Sequence, residues 1–207
     1  MNRTFLILLM VGSAMLIAVI GEKNPTMQHE YTPWNTSRTE NGLINAFGIT
    51  LGETTIEESE LILGKNPVTQ LRISSNDDTG QQYELIAIYK DLLLSGVVSE
   101  LILSYQLEQG TLQTLFSTLT IQPENKQSYS ISTELAAPYL ITPISSITYI
   151  PSINYGEEII MQRFGSPEKE YTISDTYRKW LYPEMGLEIQ LHSNQSERFI
   201  YTNSEVN

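Results

Sequence analysis

The sequence predicts an α+β fold: two small lobes, each with short helices packed on an antiparallel sheet, preceded by one N-terminal transmembrane or signal helix. Three observations predict it. An uncharged apolar run, FLILLMVGSAMLIAVI, extends from Phe5 to Ile20 behind Arg3. Farther on, stretches of alternating apolar and polar residues are separated by Gly, Pro, Asn and Asp. Twice, a capped helical segment stops at a glycine, meets a proline within three residues and runs into strands.

The first element is the leader, 1–21. At about 1.5 Å per residue the sixteen residues of its uncharged run span roughly 24 Å, against a ~30 Å hydrocarbon core. Thr4 and Gly21 extend it to a marginal span. A basic start and an apolar middle also describe a signal peptide, with Val19 and Gly21 at the −3 and −1 cleavage positions. Bulky Ile20 and the lack of an A-x-A site favour a retained anchor. With the positive end held in the cytoplasm, the chain that follows faces outward. The expected location is the bacterial inner membrane, single-pass, with the C-terminal part in the periplasm. The alternative is a soluble secreted or periplasmic protein.

Residues 22–46 read as a polar tether containing Pro25 and Pro33, with Trp34 either an interfacial anchor or an aromatic docked on the folded part. The first lobe spans 47–121. Thr54 and Glu57 form an expected capping box for a helix over 55–63, which stops at Gly64 before Pro67. Strands follow over 68–74, at Tyr83, Leu85, Ala87 and Tyr89, and from Val97 to Leu107. A helix then carries Leu112, Leu115, Phe116 and Leu119 on one side. Residues 122–146, rich in Ser and Thr with Pro123, Pro138 and Pro143, read as a connector. The second lobe, 147–207, repeats the pattern. Asn154 and Glu157 suggest a capping box, a helix covers 155–164, Gly165 ends it and Pro167 follows. Strands are expected near 170–173, 178–182, 186–191 and 197–201.

The stretch RKWLYPEMGLEIQL, residues 178–191, looks functional at first sight. Reading Pro183 to Gly186 as a hairpin loop pairs Tyr182 with Leu187, Trp180 with Ile189 and Arg178 with Leu191. A slip of one residue would set Trp180 against Gln190 and scatter the apolar strip, so the pattern selects the first register. Trp180 and Tyr182 are then chiefly packing residues, in cross-strand pairs contributing about 0.2–1 kcal/mol each. The alternative is an exposed recognition strip of Tyr177, Arg178, Trp180 and Tyr182, the candidate binding residues.

Composition excludes several classes of function. Twelve Lys and Arg against 24 Asp and Glu leave a net charge of −12, which does not suit nucleic-acid binding. There is no cysteine, hence no disulfide, thiolate nucleophile, Fe–S cluster or Cys-type zinc site. His29 and His192 are the two histidines, too few for a His-rich metal centre, and no cofactor or metal is expected. No G-x-S-x-G elbow, P-loop, dinucleotide fingerprint or H-E-x-x-H occurs. His192 reads as a solvated strand end. Glu57 and Glu58 suit the first turn of a helix, and Asn76, Asp77, Asp78 and Gly80 form a turn without calcium-loop spacing.

The capped helix, the LG or FG stop, the nearby proline and the W-x-Y strand entering a hairpin resemble the SmpA/BamE-like family and the related tandem β-lactamase-inhibitor-protein architecture. Phe164, Gly165, Pro167, Trp180 and Tyr182 carry the resemblance over roughly 147–203, with Leu63, Gly64 and Pro67 as a fainter first copy over 47–107. The resemblance implies helices on one face of an antiparallel sheet and a non-enzymatic binding or assembly role in the bacterial envelope. Members of that family are usually outer-membrane lipoproteins, whereas this chain has no cysteine to acylate.

The expected function is therefore a non-catalytic, membrane-tethered, periplasm-facing module that binds other envelope or membrane proteins, as an accessory subunit of an envelope complex. Two alternatives stay open: a secreted inhibitor or ligand-binding protein, and a carboxylate-dependent hydrolase.

Overall fold

The computed structural model describes residues 31–76, 80–119 and 127–203. The apolar run from Phe5 to Ile20, the first part of the tether, and Asp77 and Asp78 of the expected turn lie outside them. No helix among the described residues is long and apolar enough to cross a membrane.

The chain is α+β. In order it forms β1 (Thr36–Arg38), β2 (Ile44–Ala46), β3 (Ile49–Thr50), α1 (Ile56–Leu63), β4 (Val68–Asn76), β5 (Gly80–Leu94), β6 (Val97–Tyr105) and α2 (Gln109–Thr118). There follow β7 (Ser128–Ser130), α3 (Thr133–Ala136), β8 (Ile144–Pro151), α4 (Gly156–Phe164), β9 (Lys169–Ser174), β10 (Tyr177–Tyr182), β11 (Leu187–His192) and β12 (Arg198–Thr202). Nine strands make one antiparallel sheet in the order β7-β4-β5-β6-β8-β12-β11-β10-β9, and β1-β2-β3 make a small second sheet. Two meanders, β4 to β6 and β9 to β12, therefore run inward from opposite sides and meet on β8.

That arrangement corrects the picture of two lobes with separate sheets. Backbone bonds join β6 to β8 from Ser99–Pro151 to Tyr105–Ile144, so the two halves share one sheet and one principal core. Ile56 of α1, Leu112 and Leu115 of α2, and Ile160 and Phe164 of α4 all pack against the same sheet face. The opposite face carries a smaller cluster of Ile86, Ile88 and Ile102, flanked by Ile150.

The tether and the connector are corrected as well. Residues 31–46 are part of the fold: Ile44 and Ala46 are buried, and Trp34 packs edge-on against Tyr155 and Phe164 at 6.1 and 6.5 Å with Arg163 over its ring. Three-residue strands are too short to show a period, which hides them in the sequence. Within the expected connector, Tyr129 and Ile131 are buried beside β4, α3 follows, and Ile144 opens β8. Its Pro143 bridges Thr55.

Both expected caps differ from those observed. Thr55, not Thr54, caps α1: its Oγ1 accepts the Glu58 N–H at 3.2 Å while Glu58 accepts the Thr55 N–H at 2.8 Å. Thr54 instead accepts the Thr50 N–H, closing the preceding loop at 2.9 Å. Gly64, in the left-handed region with φ 64°, ends α1 through its N–H to the Glu60 carbonyl. At α4, neither Asn154 nor Glu157 caps the helix; the cap comes from Glu197, far along the chain.

The hairpin register agrees pair by pair with the sequence argument: Tyr182 faces Leu187, Trp180 faces Ile189 and Arg178 faces Leu191. Pro183–Met185 form one 3-10 turn, and Gly186 takes φ 57°. A side chain there would run into the Thr202 carbonyl oxygen, so the tight approach of β11 to β12 needs a glycine.

Candidate functional site

The cleft that gathers the most polar chemistry lies where the N-terminus of α4 meets the open end of the β10–β11 hairpin. It encloses about 250 Å³ and is lined by Glu157, Asp175, Arg178, His192 and Glu197, among others. Each side chain arrives there for a local reason. Antiparallel pairing sets Tyr177 opposite His192, and their rings stack at 4.3 Å with planes 6° apart. Arg178 is one step along the strand on the other face, under α4, and ion-pairs with Glu157 from the first turn of that helix. The Glu157 hydrogen bond and charge raise the Arg178 guanidinium above its ordinary value, so it stays cationic.

Asp175 and Thr176 form the turn from β9 to β10, held by the Ser193 N–H donating to the Thr176 carbonyl at 3.0 Å. Glu197 closes the floor. It is 5% exposed, and its two carboxylate oxygens accept the N–H groups of Gly156 at 3.0 Å and Tyr155 at 3.3 Å. A buried carboxylate at a helix N-terminus meets the positive end of the peptide dipoles and satisfies orphan donors.

The four candidate binding residues thus divide. Trp180 and Tyr182 are buried in the core face; the Tyr182 hydroxyl donates to the Gly165 carbonyl at 3.1 Å. Burial, with a further push from Glu170, raises the Tyr182 phenol to about 12. Arg178 lines the cleft and Tyr177 covers its histidine. On the outer face Lys179 pairs with Glu188 at 3.1 Å; desolvation lowers its ammonium value, but the Glu188 hydrogen bond and charge outweigh that and raise it.

Sequence reasoning missed His192, Asp175, Glu157 and Glu197 as members of a site. His192 was legible, since the register that pairs Arg178 with Leu191 also pairs Tyr177 with His192. Glu197 left no signal, because its partners are backbone groups about forty positions earlier, at Tyr155 and Gly156.

The chemistry of the cleft is electrostatic. Three carboxylates face one arginine, Arg178, which Glu157 already neutralises, so the remaining field attracts a cation. Glu197 commits both oxygens to backbone donors and Glu157 is ion-paired, while Asp175 has neither kind of partner among the described residues. No group of three or more metal-ligating side chains occurs among the described residues. A second, more open groove of about 330 Å³ runs over the outer sheet face beside Lys90, Asp91, Glu100 and Ile150. No protein-family model, curated protein or solved structure matches this chain.

Proposed function

We propose that this chain is a non-catalytic, membrane-tethered module that faces the periplasm and binds other envelope or membrane proteins, as an accessory subunit of an envelope complex. The observation that carries the reading is the cleft at the α4 N-terminus. Its charged groups are held by helix, hairpin and a buried carboxylate, so they form a prearranged polar surface rather than a set of mobile side chains. The apolar run from Phe5 to Ile20 supports the tether. The helix–glycine–proline–strand pattern, and with it the likeness to SmpA/BamE-like modules, supports an assembly role over catalysis. The committed oxygens of Glu197 and the Arg178–Glu157 pair likewise favour binding charge over proton transfer.

The test is native purification from gently solubilised membranes, followed by identification of what co-migrates. A stoichiometric partner that is lost with Tyr177→Ala or Arg178→Ala supports the reading; recovery of no stoichiometric partner overturns it. Mass spectrometry of the mature amino terminus separates tether from secretion. An intact Met1 or Asn2 supports the tether, and a start at Glu22 supports the secreted inhibitor or ligand-binding alternative.

A further inference from the structure

Two features meet at one corner of the molecule. β9 is the outermost strand of the nine-stranded sheet among the described residues, and all six of its residues are exposed. It pairs with β10 on its inner side, so alternate residues point their N–H and C=O groups outward, where no strand pairs with them among the described residues. Tyr171 and Ile173, 42% and 56% exposed, give this edge apolar side chains for a neighbouring strand to pack on. The opposite edge strand, β7, is only three residues long. β9 runs directly into Asp175, and Asp175 is a wall of the acidic cleft.

We propose that the free edge of β9 and the adjoining cleft form one docking site for an extended, basic segment of another protein, which adds to the sheet as a further strand and sets a Lys or Arg side chain beside Asp175. The inference rests on the binding-module reading and names its surface and the chemistry of its partner. Six residues of edge, roughly 20 Å long, suit a short strand. Charge selects the occupant. From Glu168 to Asp175 the chain carries Glu168, Glu170 and Asp175 against the single Lys169, and the cleft adds Glu157 and Glu197 against Arg178. A second copy of this chain, with a net charge of −12, would bring like charges to the same edge. A basic strand from a different protein meets no such repulsion.

The probe is a fluorescent synthetic peptide of ~8 residues in which lysine alternates with valine and threonine. Its controls are the same peptide with every central amide N-methylated, and a peptide with glutamate in place of lysine. Binding is read by anisotropy on the full chain in detergent micelles. The lysine peptide is expected to bind, with both controls at least about tenfold weaker. Thr172→Pro on the edge and Asp175→Asn in the cleft are each expected to weaken the lysine peptide several-fold; Ile173→Lys, an exposed change that spares the backbone, does so if Thr172→Pro fails to fold. Equal binding of methylated and unmethylated peptides, or no binding at all, overturns the proposal. A co-purified partner that remains bound to the Thr172→Pro and Ile173→Lys variants refutes this docking site while leaving the binding-module reading standing. Absence of any partner refutes that reading itself.

Discussion

Glu197 accepts the Gly156 N–H at 3.0 Å across 41 positions of sequence, so the residue just before strand β12 supplies the cap for the helix α4. The link fixes the start of α4 relative to the sheet and holds the floor of the cleft. Removing the carboxylate leaves two backbone donors without their acceptor in a buried place. Glu197→Ala is expected to cost about 1–3 kcal/mol and Glu197→Gln distinctly less, since the amide keeps one accepting oxygen. Urea denaturation followed by circular dichroism checks it. A loss below ~0.5 kcal/mol for the alanine variant would mean that the cap is dispensable.

Gly186 and Gly42 both have positive φ, at 57° and 79°, but differ in what surrounds them. A Cβ at Gly42 meets nothing within 4 Å, whereas one at Gly186 meets the Thr202 carbonyl and the Ile44 side chain. Gly42→Ala should therefore cost about 1 kcal/mol of backbone strain, and Gly186→Ala clearly more, because β11, β12 and β2 must separate to admit it. Thermal melts of the two variants side by side decide the matter; equal shifts would refute the close approach.

Neighbouring residues of β10 should respond very differently to truncation. Trp180 is fully buried against Ile189, so Trp180→Ala should cost about 3–5 kcal/mol. Its indole N–H has no hydrogen-bond partner, so Trp180→Phe gives up packing volume alone and should cost less. Arg178→Ala removes a half-exposed ion pair and should change stability by under ~1 kcal/mol. Comparable losses from Trp180→Ala and Arg178→Ala would contradict the division between packing and cleft residues.

Alkaline pH should unfold the protein through its buried tyrosines. Burial raises the phenols of Tyr89, Tyr105, Tyr149, Tyr155, Tyr182 and Tyr201 above the ordinary value near 10.0, that of Tyr182 to about 12. The unfolded chain releases these protons at lower pH than the folded one. Their stabilising contribution is therefore complete below pH 10, and for Tyr182 it disappears by pH 12. Tyrosinate absorbance for these groups is expected to rise together with loss of the circular dichroism signal. Full ionisation in a chain that keeps its native spectrum would show that the phenols are not held neutral by the fold.

How much of this was legible in the sequence can be argued from particular elements. The β10–β11 register was readable because alternation puts Trp180, Tyr182, Leu187 and Ile189 on one face, and any slip exposes them. Helices α1 and α4 were readable from their glycine stops. The α1 cap was misplaced by one residue because Thr54 and Thr55 are adjacent and each has an acidic residue three positions on; loop geometry, not spacing, chose between them. Strands β1 and β2 were not readable, since three residues show no period and the burial of Ile44 and Ala46 depends on a sheet formed elsewhere.

The sequence by itself determined the α+β class, the apolar run from Phe5 to Ile20, the absence of cysteine chemistry and the pairing of its clearest hairpin. These are properties of composition and of periods that local chain geometry imposes. Tertiary structure alone decided that two meanders share β8, that Trp34 packs against the core, and that Asp175, Arg178, His192 and Glu197 surround one cleft. Such facts depend on which surfaces meet after the chain has doubled back, and hydrogen bonds between Glu197 and the start of α4, or between β6 and β8, leave no period along the chain to be read.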